Sequence, residues 1–70
     1  MKFVVRYEIQ VRQADGSWSW ARQCGPSRSD AQYATDRDGY RAASWHADRI
    51  RAACPGVAVR VASGSEVVES

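Results

Sequence analysis

Residues 3–11, FVVRYEIQV, alternate apolar and polar side chains with a period of two. Successive side chains of an extended strand point to opposite faces. Phe3, Val5, Tyr7, Ile9 and Val11 therefore share one face, and Val4, Arg6, Glu8 and Gln10 share the other. Such a strand needs an apolar cover on one side and tolerates water on the other. The rest of the chain has to supply that cover and the neighbouring strands.

There is little chain to do it with. Seventy residues make one domain, 1–70, with one modest core. Ordering a chain costs about 1.5 kcal/mol per residue, so the large apolar side chains are all expected to matter for stability. Pairing of two copies would add buried area that a monomer lacks.

Ala14-Asp15-Gly16 marks a turn after the first strand, with Asp-Gly the strong hairpin dipeptide. A second strand follows at 17–23. Trp18 and Trp20 share one of its faces, and Ser17, Ser19 and Ala21 the other. Pairing that sets the tryptophans beside the apolar side of the first strand predicts both as core residues. Arg22 continues the tryptophan side, with its stem laid over apolar surface near the rim. Cys24-Gly25-Pro26-Ser27 stops the strand. Within 25–34, the segment Ser29-Asp30-Ala31-Gln32 suits one short helical turn, and Tyr33 can reach back to the core.

Thr35 and Asp38 fit a capping box, which predicts a helix over 36–53 that Cys54-Pro55-Gly56 ends. Tyr40, Ala43, Ala47, Ile50 and Cys54 form its inward stripe. Alanines there allow the helix to lie close to a sheet. Val57, Val59 and Val61 alternate with Ala58, Arg60 and Ala62 as a third strand. Ser63-Gly64-Ser65 reads as a turn, and residues 66–70 read as a short edge strand or a tail. The expected fold class is α+β: an antiparallel sheet of three or four strands, connected β-β-α-β with a short fourth strand as an option. The strand order is 2-1-3-4, with one long helix on one face.

The ten Lys and Arg residues against eight Asp and Glu give a formal charge of +2, too even to mark a nucleic-acid binder by itself. Arg6 and Glu8 interrupt the apolar start before it can act as a signal core. No apolar run approaches the roughly 20 residues that span a bilayer. The expected location is the cytoplasm, of a bacterium or of a host cell if the chain is phage-encoded. Cys24 and Cys54 are too few for a disulfide scaffold, and with His46 the only histidine no metal set forms. No serine or cysteine has an evident base partner, so no catalytic residue, cofactor or enzyme activity is expected.

Two surfaces remain. Trp45 lies far from the inward stripe on a helical wheel, among Arg41, Ala42, Arg49 and Ala52. A large aromatic with small neighbours and arginines has the composition of an interface centre. The leading expectation is a non-enzymatic protein-interaction module, a small accessory or inhibitory protein, binding another protein or a second copy of itself there. The alternative uses the open sheet face, where Lys2, Arg6, Arg12 and Arg60 could contact nucleic-acid phosphates beside Val4, Glu8, Gln10, Ser17, Ser19, Ala21, Ala58 and Ala62. That alternative stands second because no aromatic residue is expected on this face. No membrane partner is expected.

Overall fold

A computed structural model of the chain describes the backbone of residues 2–69 and the side chains of residues 5–63. The alternating segment forms the central strand, β1 (Lys2–Arg12). One edge of β1 pairs in succession with β2 (Trp18–Trp20) and β3 (Gln32–Tyr33). Its other edge pairs with β4 (Val59–Glu69), and all these pairings are antiparallel. A single helix, α1 (Arg37–Ala53), packs on one face of this sheet. The fold is thus α+β, an antiparallel sheet with one long helix.

The hairpin corrects the expected core. Arg12 pairs with Trp18, Val11 with Ser19 and Gln10 with Trp20. Directly paired residues point to the same side of a sheet. Trp18 and Trp20 therefore join Gln10 and Arg12 on the open face, while Ser19 and Ala21 face the helix. The cause is loop length. Asp15-Gly16 as a two-residue loop would set Trp20 opposite Val11, but Asp15 would then need positive φ. The chain instead uses a three-residue loop in which only Gly16 is left-handed (φ 88°). Gly16 N–H donates to the Gln13 carbonyl (3.0 Å), Gln13 N–H to that of Ser17 (2.7 Å), and Asp15 Oδ1 accepts from Ser17 N–H (2.9 Å).

The turn expected at Ser63-Gly64-Ser65 does not form, and residues 66–69 continue β4 instead of adding a strand outside it. Arg6 pairs with Ser65 but Glu8 with Ala62, so β4 carries one extra residue between these pairs, a β-bulge. Gly64 lies within the bulged segment, where glycine is at home. Continuing the ladder along the eleven-residue β1 satisfies more backbone groups than turning away would. The side chains of Lys2, Phe3, Val4 and residues 66–70 lie outside the described residues. β3 is an addition: Tyr33 pairs with Tyr7 and Gln32 with Glu8, filling the edge of β1 that short β2 leaves open.

α1 begins one residue later than the Thr35–Asp38 pattern implies. Asp36 is the N-cap, its carboxylate accepting from Gly39 N–H (2.7 Å). Ala43, Ala47 and Ile50 pack on Ile9, Val11, Ala21 and Val59, with Tyr7, Tyr33, Cys24, Val57 and Val61 around them. Tyr40 departs from the expected inward stripe and is 52% exposed. It sits at the sheet margin, its ring edge-on to Tyr7 with centroids 5.4 Å apart. The first turn of α1 lies so close to the preceding segment that a Cβ at Gly39 would run into the backbone of Ala34.

Gly39→Ala should therefore destabilise the protein, although alanine is the better helix former. Overpacking of this kind costs about 1–3 kcal/mol, and thermal unfolding should show a fall of several degrees. A raised melting temperature would show that Ala34 yields freely.

Candidate functional site: two opposed surfaces

The open face of the sheet is built around a carboxylate. Glu8 is fully buried although it points to the solvent side of β1. Arg28 Nε and Nη2 donate to its two oxygens at 2.6 and 3.1 Å, Gln10 Nε2 donates at 2.8 Å and Gln32 Nε2 at 3.4 Å. Arg28 belongs to a 3₁₀ turn (Arg28–Ala31) opened by a capping box between Ser27 and Asp30. Residues 25–34 thus close over Glu8 and supply β3. Burial alone would raise the Glu8 pKa. The hydrogen bonds from Arg28 and Gln10, the Arg28 charge and the Gln32 amide outweigh it, holding the carboxyl below its ordinary range.

Beyond Glu8 the same face carries the two tryptophans, both half-buried. The Arg60 guanidinium lies over the Trp18 ring, 4.1 Å from its centroid, and Arg60 Nε donates to Gln10 Oε1 (2.9 Å). Arg22 lies over Trp20 at 5.4 Å. Of the four basic candidates on this face, Arg60 is in the aromatic cluster and Arg12 is exposed opposite Trp18. Arg6 lies past Glu8, half-buried. The Lys2 side chain is outside the described residues. Sequence reasoning missed Trp18, Trp20 and Arg22 here because the expected register hid them. An open groove of about 490 Å³ runs along the β2 edge of the sheet, lined by Val11, Gln13 and Ser19 together with Trp20, Arg22 and Gln23, so that it borders the helix side as well as this cluster.

On the other side of the molecule, α1 turns Trp45 outward, 61% exposed. Arg49 stacks on its ring at 4.8 Å. Arg41, Ala42 and Ala52 are exposed as well. Residues 25–34 engage Glu8 and do not cover this helix surface. The five residues expected to form an interface thus share one exposed surface.

The remaining reactive groups include His46 and the two cysteines. His46 Nδ1 is 2.7 Å from the Tyr33 hydroxyl, at the margin between core and solvent. Cys24 and Cys54 are free thiols, both half-buried. Burial and the neighbouring Asp30 raise the Cys24 pKa, keeping it a thiol rather than a nucleophilic thiolate. Burial and Cys24 likewise raise the Tyr33 pKa. Among the described residues no cluster of ligating side chains could hold a metal ion, and no helix is long and apolar enough to cross a membrane. Comparison with protein-family models, with characterised proteins and with solved structures finds no match.

The depressed Glu8 pKa fixes the sign of a pH dependence. Its contribution is present above the ordinary carboxyl value of 4.5 and is lost as pH falls through the lower folded value. The wild type should lose stability over that acid range. Glu8→Gln should start weaker at neutral pH, by about 1.5–3 kcal/mol, and fall less in acid. Parallel curves for the two proteins in urea unfolding would show that Glu8 is not the group responsible.

Proposed function

We propose that the chain is a non-enzymatic protein-interaction module that binds its partner through the outer surface of α1, centred on Trp45. The observation that supports this most directly is an indole left 61% exposed although the chain has a loop and two further tryptophans elsewhere. Burying such a side chain is worth about 1.5–3 kcal/mol, and tryptophan and arginine are the residues that dominate interface energetics. Ala42 and Ala52 leave room for a partner to approach, and Arg41 and Arg49 supply a polar rim. The two free thiols fit a reducing compartment, so the cytoplasm is the proposed location.

The partner is proposed to be a different protein. In an antiparallel two-fold pairing of α1 centred on Trp45, Arg41 would fall opposite Arg49 of the second copy. Like charges placed so disfavour self-association. An apolar pocket rimmed by carboxylates complements the surface instead.

Trp45→Ala should leave the melting temperature nearly unchanged, because the ring is largely exposed on the side of α1 away from Ala43, Ala47 and Ile50. Removing it should weaken capture of the cellular partner by about 2 kcal/mol or more, as hot-spot truncations do. Wild type and variant are to be compared in parallel affinity purification and sedimentation. A partner retained equally by both, or a loss of stability as large as that of Ile9→Ala, overturns the reading.

A further inference from the structure

We propose that the open sheet face, on the side of the molecule away from Trp45, binds single-stranded nucleic acid on two arginine-capped tryptophans. The inference is independent of the α1 surface. It rests on the register that brings Trp18 and Trp20 to the face already bearing Arg12 and Arg60.

The two features such a ligand needs are both present. An unpaired strand offers flat bases and a regular line of phosphates, and proteins hold it with aromatic or guanidinium planes and positive charge. Trp18 lies half-buried under the exposed Arg60, and Trp20 half-buried under the exposed Arg22. Each stack runs from sheet to indole to guanidinium to solvent. The Arg60 head is further held by Gln10, so little side-chain freedom remains to be lost on binding. A guanidinium plane set in this way can stack on a base and also donate to a phosphate. Arg12, opposite Trp18, adds a third exposed guanidinium to the same end of the sheet.

The exposed charge at the β2 end of this face has one sign. Among residues 5–63, Glu8 is the only acidic side chain that the strands point to this face, and its carboxylate is sealed beneath Arg28, Gln10 and Gln32; Glu69 pairs with Lys2 at the far end of β1. A polyanion approaching the stacks therefore meets guanidiniums and amides. A duplex would present phosphates but keep its bases stacked inside, which leaves the two platforms unused. The surface therefore fits a single strand.

The test uses the full chain and fluorescein-labelled oligothymidylate and oligouridylate of about 15 nucleotides, within the usual site size for one small domain. Anisotropy should report binding that weakens steeply with salt. Three guanidiniums on phosphates predict a slope near −2, so affinity should drop about twentyfold between about 50 and 200 mM salt. Arg60→Gln and Arg22→Gln keep both tryptophans in place and should each weaken binding and flatten the slope, with unchanged circular dichroism. Trp45→Ala should bind the oligomers as the wild type does, so failure here and failure of the α1 reading are told apart. Absence of binding at low salt overturns the proposal. So does equal affinity for the duplex of the same sequence, or no effect of Arg60→Gln. Equal displacement of the oligomer by polyglutamate also overturns it, and assigns the face to an acidic protein.

Discussion

The parity of one hairpin loop decides which way two of the three tryptophans face. With Ala14, Asp15 and Gly16 in the loop, even-numbered residues of β2 sit beside even-numbered residues of β1. A loop shorter by one residue would exchange the faces of β2, because side chains alternate strictly along a strand. The helix side of the sheet would then carry two indoles where it now carries Ser19 and Ala21. Helix α1, with Ala43 and Ala47 against the sheet, lies close because those sites are small. A left-handed glycine and an Asp15 carboxylate that accepts from Ser17 thus set the sheet's composition on both faces.

The core that results is small. Among the described residues its fully enclosed members are mostly alanine, with Ile9 the one large apolar side chain completely buried. The domain offsets this by organising its polar side. Arg28, in a turn that has no regular partner of its own, is tied twenty residues back to Glu8, and the same carboxylate draws in Gln10 and Gln32. That knot pins residues 25–34 along β1 and delivers Tyr33 to its place beside Tyr7, where its hydroxyl meets His46 on α1. A loop fixed in this position cannot cover the outer surface of α1. The exposure of Trp45 and the burial of Glu8 are therefore consequences of the same chain path.

Several elements were legible without coordinates. The period-two run of β1, the spacing of Ala43, Ala47 and Ile50, and the outward direction of Trp45 all follow from local geometry that the rest of the chain does not alter. The short turn near Asp30 and the return of Tyr33 to the core could be anticipated from composition. The capping of α1 was legible to within one residue: Thr35 and Asp36 are both good caps, and only the path of Ala34 past Gly39 favours the second. Ser63-Gly64-Ser65 has turn chemistry, yet a long neighbouring strand with unpaired backbone groups converts it into a bulge.

What the sequence by itself determined is the set of periodic elements, the inward side of the helix and the alternation along each strand, since these depend on residues a few positions apart. Tertiary structure alone decided how the strands are registered, which side of the sheet the tryptophans of β2 occupy, and which cation reaches the buried Glu8. The reason is the range of the interactions. Alternation tells which side chains share a face but not which face it is. That assignment belongs to a cross-strand pairing closed by the φ of Gly16, and to a guanidinium brought in from twenty residues away.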